Sequence, residues 1–251
     1  MSDGIPRRRV VVITGAGGAL GAALSRRLGG EPATDLVLSD IDQSSLQATL
    51  DAMPASDAVV ETVPADVGDV DQVERVVRFA IERFGRIDVF VSNAGVLAPN
   101  GRIHNLSTDD WDRVIRINLM GAVNGIRSVV PTMRAQRSGS IILTASVAGM
   151  TAWSHAAPYC ATKAAVIQLA KVAAVEYARD GIRVNCVCPG TFRSAIHEDL
   201  PPDALEAMAM RHPLGLGSAD DLVGAYSYLA GDDSRWTTGA ALVVDGGYSA
   251  P

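Results

Sequence analysis

A short apolar strand, joined to an amphipathic helix by a glycine-rich turn, opens the chain and limits what it can fold into. Residues 9–14 (RVVVIT) are a β-branched run typical of a buried strand, and apolar residues recur at helical spacing from Ala19 to Leu28. Between them the turn TGAGGALG, residues 14–21, bends without bulky side chains. A phosphate can therefore approach the backbone N–H groups at the start of the helix.

The same alternation of strand and helix continues along the chain. We predict further strands at residues 35–39, 59–63, 87–91, 140–145, 183–187 and 240–244, and further helices near 43–53, 70–84, 109–134, 158–179 and 219–230. Such an alternation predicts an α/β protein with a parallel sheet. No linker or shift in composition divides the 251 residues, so we expect one domain, 1–251.

Charge and cysteine content argue against several classes of protein. The 22 basic and 28 acidic residues give a net charge of −6, which does not indicate nucleic-acid binding. Cys160, Cys186 and Cys188 are too few for a disulfide framework, and the four histidines lack the spacing of metal ligands, so no metal is expected. We find neither a signal-like apolar segment nor a run of about 18 apolar residues. We therefore expect a cytoplasmic protein with no membrane contact.

An aspartate at the end of the second predicted strand bears on the choice of cofactor. Asp40 lies nineteen residues after Gly21, where a carboxylate can accept hydrogen bonds from a ribose diol. The same carboxylate would repel a 2′-phosphate, and no arginine or lysine stands in the glycine turn or just after Asp40. The pattern therefore favours NAD over NADP. The alternative is that Asp40 is a strand-end turn residue or the N-cap of the helix that begins near Gln43.

Polar residues follow several other predicted strands. The dipeptide DV (66–67), the tripeptide NAG (93–95) and Ser146 come at strand ends, which places them at the carboxyl edge where open α/β sheets bind ligands. The NAG tripeptide could equally be only a turn. Asn118 interrupts the apolar surface of a long helix, and by itself it is more simply a satisfied core asparagine.

A tyrosine and a lysine four positions apart form a candidate catalytic pair. On a helix that begins at residue 158, Tyr159 and Lys163 project from one face, so an ammonium can lie beside a phenol. At about 4 Å and an effective dielectric constant of about 20, a cation favours the phenolate by about 4 kcal/mol, or about three pKa units. Burial raises the phenol pKa instead, and such pairs also occur by chance on helix surfaces.

Together these motifs resemble the short-chain dehydrogenase/reductase family over essentially the whole chain. The residues that carry the resemblance are Thr14-Gly15 with Gly21, Asp66-Val67, Asn93-Ala94-Gly95, Asn118, Ser146, Tyr159-x-x-x-Lys163, Pro189-Gly190 and Asp245-Gly246-Gly247. The resemblance implies a doubly wound, seven-stranded parallel Rossmann sheet in a single domain, with a small substrate lid at about residues 190–214. It also implies NAD(P)-dependent oxidation of alcohols or reduction of carbonyls.

The resemblance further assigns roles to individual residues. It implies that Tyr159 is the acid/base, that Lys163 lowers its pKa and holds the nicotinamide ribose, that Ser146 binds the substrate oxygen, and that Asn118 positions a water towards Lys163. The implied cofactor-binding set is Gly15, Gly17, Gly18, Ala19, Leu20, Gly21, Asp40, Ile41, Asp66, Val67, Asn93, Ala94, Gly95, Tyr159, Lys163, Pro189, Gly190, Thr191 and Ser194. The chain also departs from the family pattern. Ala19 stands in place of a glycine, which leaves room for a wider bend, and Leu216 stands where many relatives have an arginine. Ser194 replaces the usual threonine but keeps a hydroxyl, and Gly18 replaces the basic residue that NADP-preferring relatives often carry.

We expect an NAD-dependent secondary-alcohol dehydrogenase, working towards oxidation because cells usually keep the NAD pool oxidised. The substrate-facing candidates are Val147, Trp153, His155 and Phe192, which suggest a mostly apolar, cyclic small-molecule substrate with one polar group. Local packing is the simpler interpretation of His155. Two other functions stay open: an NADPH-dependent 3-oxoacyl thioester reductase, and a protein that binds NAD without turnover. The alanine-rich helix at 158–179 is apolar on more than one face and, with the family's habit, suggests a homotetramer.

Overall fold

A computed structural model describes residues 7–194 and 202–250, without the side chains of 202–205. Within these residues the strands are β1 (Arg9–Thr14), β2 (Thr34–Ser39), β3 (Val60–Thr62), β4 (Val89–Ser92), β5 (Gly139–Thr144), β6 (Ile182–Pro189) and β7 (Ala241–Val244). The helices are α1 (Ala19–Gly29), α2 (Gln43–Asp51), α3 (Val70–Phe84), α4 (Thr108–Val114), α5 (Gly121–Gln136), α6 (Ala157–Tyr177), α7 (Pro202–Met210) and α8 (Ala219–Ala230). A π-helical segment, Ile115–Met120, connects α4 to α5.

The strands form one parallel sheet in the order β3-β2-β1-β4-β5-β6-β7. From β1 the chain first adds strands on one side, and from β4 it adds strands on the other. This reversal opens a crevice at the carboxyl ends of β1 and β4, where doubly wound sheets bind their ligands. The prediction of an α/β fold with a doubly wound, seven-stranded parallel sheet is confirmed.

Two apolar clusters cover the two faces of the sheet. Because successive side chains on a strand point to opposite faces, Val12 of β1 packs into one cluster, while Val11 and Ile13 pack into the other. Residues of α3, α5 and α6 complete the first cluster, and residues of α1, α2 and α8 complete the second. Helices thus hold both faces of the sheet, and the carboxyl edge is left for polar residues.

Several predicted elements differ from the structure in their bounds or type. The strand predicted at 59–63 is reduced to Val60–Thr62, and the strand predicted at 183–187 extends to Pro189. The helix predicted at 109–134 is interrupted by the π-helical segment, which apolar periodicity does not reveal because the pattern continues through it. The predicted polar stretch before residue 217 contains α7, a short helix whose apolar residues lacked a clear period.

Candidate active site

The turn between β1 and α1 fits the pyrophosphate of a dinucleotide. Gly18 is the N-cap of α1 and, in this described stretch, neither a side-chain cap nor an acidic residue occupies the first turn. A Cβ at Gly21 would lie 2.0 Å from the Gly15 carbonyl oxygen, so a glycine is required for the helix to pack against the turn. Uncapped backbone N–H groups and the positive end of the helix dipole therefore face the crevice.

The first residues of the turn are set by close backbone contact with the end of β4. Gly15 has a φ of +65°, and a Cβ there would lie 2.6 Å from the Ala94 Cα. Ala19, which replaces a glycine of the family pattern, is exposed at the start of α1, and Leu20 is buried below it. Because the Ala19 methyl group points outward and its backbone is helical, an alanine fits here without a special backbone conformation. The glycine turn therefore does not need to be wider than in the family pattern.

Asp40 contacts the glycine turn directly. One carboxylate oxygen accepts a hydrogen bond from the Gly17 backbone N–H at 3.0 Å, and the other accepts one from the Asp42 N–H at 3.2 Å. The N-cap of α2 is Asp42, whose side chain accepts from the Ser44 N–H, so the alternative reading of Asp40 as that cap is wrong. Ile41 is 68% exposed beside them. The edge of the turn thus carries two carboxylates.

The residues after β4 tie the glycine turn to the centre of the sheet. The Asn93 side-chain Nδ2 donates to the Gly15 carbonyl oxygen at 3.0 Å, and its backbone N–H donates to Thr14 Oγ1 at 3.1 Å. A Cβ at Gly95 would lie 3.3 Å from Asn118 Oδ1 and 3.4 Å from the Lys163 ammonium nitrogen. The tripeptide at 93–95 is therefore more than a turn, because it forms the floor between the glycine turn and Lys163.

Asp66 and Val67 are held from the side by α5 and the π-helical segment. One Asp66 oxygen accepts from the Gly68 N–H at 2.8 Å, and the other pairs with Arg116 Nη1 at 2.7 Å. Val67 is buried, and its carbonyl oxygen accepts from Asn124 Nδ2 at 2.9 Å. Arg116 was missed by sequence reasoning, which had no means of matching an arginine to a carboxylate fifty positions earlier.

Asn118 lies in the π-helical segment and is 3% exposed. Its side-chain Oδ1 accepts a hydrogen bond from the Val96 N–H at 2.8 Å, and Nδ2 donates to the Val96 carbonyl oxygen at 2.9 Å and to Thr162 Oγ1 at 3.4 Å. Asn118 is therefore a buried asparagine with its hydrogen bonds satisfied, as the simpler interpretation predicts. It also lies beside Gly95 and the candidate pair Tyr159 and Lys163, as a site residue would. π-helical insertions are frequent at functional sites.

Ser146, Tyr159 and Lys163 come together at the end of β5 and the start of α6. Lys163 lies on the same helix face as Tyr159, with Nζ 5.6 Å from the ring centroid. Nζ also donates to the Thr144 carbonyl oxygen at 2.7 Å, and Lys163 is 3% exposed. Ser146 is buried and accepts from the Ala148 N–H at 3.1 Å. Pro158 stands in the first turn of α6, as predicted.

The pKa of Tyr159 differs from the value expected for an ammonium–phenol pair. Burial raises the pKa of the Tyr159 phenol above its usual value, and a hydrogen bond with Ser146 acts in the opposite direction. The Lys163 Nζ lies over the Tyr159 ring and donates to the Thr144 carbonyl oxygen, and burial opposes the lowering of the Tyr159 pKa that the spacing of the pair predicts. Burial also lowers the pKa of Lys163 from 10.5 to about 8. In this arrangement burial therefore favours the neutral form of the Tyr159 phenol.

The four substrate-side candidates occupy different surroundings. Trp153 stacks on Tyr159, with ring centroids 6.1 Å apart and 24° between the planes. His155 is exposed, has a φ of +66°, and pairs through Nδ1 with Ser154 Oγ at 2.8 Å. Phe192 packs against the α1/α8 core cluster. Val147 is completely buried in the other cluster, so the prediction that it faces substrate disagrees with the structure.

The root of the predicted lid is anchored to the C-terminal turn. Gly190 is the residue after β6, where a Cβ would lie 2.7 Å from the Asp245 Cα. The Thr191 N–H donates to His212 Nε2 at 3.1 Å, and His212 is 4% exposed. Ser194 ends this described segment, and residues 195–201 of the lid predicted at 190–214 lie outside the described residues. After residue 201 the described chain resumes with α7.

Two contacts near the site were not foreseen from the sequence. Tyr248 packs edge-on against Trp153 and accepts a hydrogen bond from Arg211 at 2.6 Å. Thr144 joins the Lys163 ammonium to the side chain of Asn93, because its carbonyl oxygen and its hydroxyl face different partners. A hydroxyl in the otherwise apolar strand IILTA was the available signal for Thr144.

The described part of the chain also bears on metals, thiols and membranes. Among its residues there is no group of three or more histidine, cysteine, aspartate or glutamate side chains that could hold a metal ion. Cys186 and Cys188 are buried free thiols, and Cys160 is a half-buried one. None of the helices within the described ranges is long and apolar enough to cross a membrane.

Comparison with known proteins agrees with this geometry. A family model described as enoyl-(acyl carrier protein) reductase matches residues 15–249. Levodione reductase of Leifsonia aquatica is 37% identical, with 96% of this chain and 94% of the relative covered. Cis-4-hydroxycyclohexanecarboxylate dehydrogenase of Sinomonas cyclohexanicum is 36% identical (96% and 97% covered), and a 3-oxoacyl-acyl-carrier-protein reductase of Thermotoga maritima is 36% identical (95% and 97%).

The crystal structure of levodione reductase superposes on this chain with a TM-score of 0.91 and 35% identity, covering 97% of this chain and 98% of that one. The doubly wound sheet and the residues gathered at its carboxyl edge define a Rossmann-fold oxidoreductase. The chain belongs to the short-chain dehydrogenase/reductase family, which depends on nicotinamide dinucleotides.

Proposed function

We propose that this protein is an NAD-dependent dehydrogenase that oxidises secondary alcohols. The observation that carries the proposal is the position of Lys163 Nζ, 5.6 Å from the Tyr159 ring, beside the buried Ser146 and at the same sheet edge as the glycine turn. A protein that binds a dinucleotide without turnover has no need of such a proton-transfer group. The presence of this pair therefore favours an enzyme over a protein that only binds the dinucleotide.

In the proposed reaction the alcohol carbon loses a hydride and the alcohol oxygen loses a proton. Bound NAD supplies the hydride acceptor. Ser146 holds the substrate oxygen by a hydrogen bond, and the Tyr159 oxygen takes the proton. With a pKa of about 8, Lys163 is mostly protonated at neutral pH, and its ammonium stabilises the Tyr159 phenolate that takes this proton and becomes a neutral phenol. Asn118, whose side chain is occupied by Val96, is proposed to position a water that leads to Lys163.

The choice of NAD over NADP is supported by the acidic edge of the glycine turn. Asp40 lies against Gly17, and Asp42 follows on the N-terminus of α2, so a 2′-phosphate would meet two carboxylates. We propose that Asp40 accepts hydrogen bonds from the adenosine ribose, and that Ile41, Asp66 and Val67 lie around the adenine. Titration of the protein with NADH and with NADPH tests this directly, and tighter binding of NADPH would contradict it.

A cyclic alcohol is the proposed substrate. Trp153 stacks on Tyr159 and so forms a flat apolar wall next to the proton acceptor. The similarity to a cis-4-hydroxycyclohexanecarboxylate dehydrogenase supports the same class. A panel of cyclic and acyclic secondary alcohols with matched carbon number, assayed by NADH absorbance, tests the assignment. We expect the cyclic alcohols to have the higher kcat/KM, and equal values throughout the panel would argue against a flat site.

A second candidate is an NADPH-dependent 3-oxoacyl thioester reductase. It is favoured by the similarity to the 3-oxoacyl-acyl-carrier-protein reductase of Thermotoga maritima. A 3-oxoacyl thioester with NADPH, added to the alcohol panel, separates the two functions. Faster reduction of the thioester than oxidation of any alcohol would favour this candidate.

We also propose a homotetramer in the cytoplasm. Val172 and Val175 on α6 are 44% and 82% exposed, which supports burial of this helix face against another subunit. Three free thiols support a reducing compartment. Light scattering coupled to size exclusion gives the mass in solution, and a monomer would contradict the tetramer.

A further inference from the structure

Tyr226 on α8 is a fully buried tyrosine that the proposed reaction does not use. Its side chain is 0% exposed, within the apolar cluster that includes Leu222 and Leu229. A phenylalanine would fill the same space without the cost of burying a hydroxyl, so the hydroxyl needs a partner. That partner is Thr144 Oγ1, at 2.8 Å.

Thr144 continues the contact towards the cofactor side of the sheet. Its hydroxyl donates to Asn93 Oδ1 at 3.2 Å, and since a threonine has one hydroxyl proton, Tyr226 is the donor in the first bond. Asn93 Nδ2 then donates to the Gly15 carbonyl oxygen at 3.0 Å. A chain of three hydrogen bonds, all running in one direction, thus connects α8 to the glycine turn.

The hydroxyl chain and the contact with Lys163 use different atoms of Thr144. The lysine ammonium donates to the Thr144 backbone carbonyl oxygen at 2.7 Å, which remains when the side-chain hydroxyl is removed. Loss of the hydroxyl chain therefore affects the orientation of the Asn93 amide and, through it, Gly15. The lysine keeps its partner. Substitution can thus separate an effect on dinucleotide binding from an effect on the proton-transfer pair.

We propose that Tyr226 and Thr144 are positioning residues that hold the Asn93 amide and, through it, the glycine turn in the conformation that binds the dinucleotide. This inference rests on the proposed function, because it requires that the glycine turn bind NAD. Burial raises the pKa of the Tyr226 phenol, so the tyrosine remains a neutral donor over the working range of pH.

Binding of NADH to Tyr226→Phe, followed by fluorescence, tests the first link. We expect the Kd for NADH to rise about fivefold while kcat at saturating NAD stays within about twofold of wild type. Tyr228→Phe is the matched control. Tyr228 lies on the same helix, and its hydroxyl contacts Thr237 Oγ1 at 2.8 Å on an exposed face. Loss of this hydroxyl should leave the Kd for NADH unchanged. Equal Kd values for wild type and Tyr226→Phe would overturn the inference.

Substitution of Thr144 tests the chain itself. Thr144→Val should raise the Kd for NADH at least as much as Tyr226→Phe does, and Thr144→Ser, which keeps a hydroxyl, should have the wild-type Kd. The double variant Tyr226→Phe/Thr144→Val should have the same Kd as Thr144→Val, because the middle link of the chain is already absent. Additive effects would contradict a chain. If Thr144→Val does not fold, the comparison of Tyr226→Phe with Tyr228→Phe decides. Wild-type protein that binds no NADH overturns the proposed function as well, whereas normal wild-type binding with an unaffected Tyr226→Phe overturns only this inference.

Discussion

Lys163 should make the free energy of unfolding rise with pH above about 8, whereas a lysine whose pKa is raised by a partner makes it fall. Burial lowers its pKa in the folded protein to about 8 from 10.5. At a pH below 8 the residue is protonated in the folded and unfolded states alike, and the folded protein carries the full cost of a buried ammonium. Between pH 8 and 10.5 the folded protein releases the proton while the unfolded chain keeps it, so stability rises with pH.

The size of this effect follows from the shift. The difference of 2.5 pKa units (10.5 minus 8) corresponds to about 3 kcal/mol, since one unit is about 1.4 kcal/mol. Replacement of Lys163 by methionine keeps an unbranched side chain that is only one atom shorter, and it removes the titrating ammonium. Tyrosines with raised pKa values oppose the effect at still higher pH, because their folded forms keep the proton longer, but they are common to both proteins.

Urea unfolding of wild type and Lys163→Met, at several pH values from about 7 to about 10, measures the effect. We expect the wild type to gain most of the roughly 3 kcal/mol relative to the variant over this range. Lys171→Met, an exposed lysine on the same helix, is the control and should track the wild type. A difference between wild type and Lys163→Met that stays flat, or that falls with pH, would refute a lowered lysine pKa.

Two further predictions concern the glycine turn. Gly21→Ala brings a Cβ to 2.0 Å from the Gly15 carbonyl oxygen and should lower stability by about 3 kcal/mol, measured by urea unfolding. Gly224→Ala is its control, because nothing lies within 4 Å of that Cβ, and it should gain up to about 1 kcal/mol. Asp40→Ala removes a proposed ribose acceptor and should raise the KM for NAD about tenfold. It should also lower the ratio of kcat/KM for NAD to kcat/KM for NADP, which steady-state kinetics with both cofactors measures. An unchanged ratio would exclude Asp40 as the residue that selects NAD.

The fold was predictable because each strand carried its own signal. The β-branched run at 9–14 ends at a glycine, and α1, α3 and α8 begin where the helical spacing of apolar residues predicts. The helix from Thr108 was less predictable. Its apolar residues continue in register through Ile115–Met120, and the change from α to π pairing leaves no trace in that pattern.

The site was predictable in its location and less so in its electrostatics. Strand ends brought Asp40, Asn93 and Ser146 to one edge, as a parallel sheet requires. The pKa of Tyr159 was not predictable, because spacing fixes the separation of two residues on a helix but not the partner that the ammonium chooses. Thr144 became that partner through the fold of β5, nineteen positions from the lysine.

The role of Tyr159 as the proton acceptor is the central claim, and one variant tests it most directly. Tyr159→Phe keeps the ring that stacks on Trp153 and removes the hydroxyl. We predict that its NADH formation from the best secondary alcohol falls by at least about a thousandfold, while its Kd for NADH stays within about threefold of wild type. Turnover equal to that of the wild type, with the same alcohol and NAD, would contradict the account.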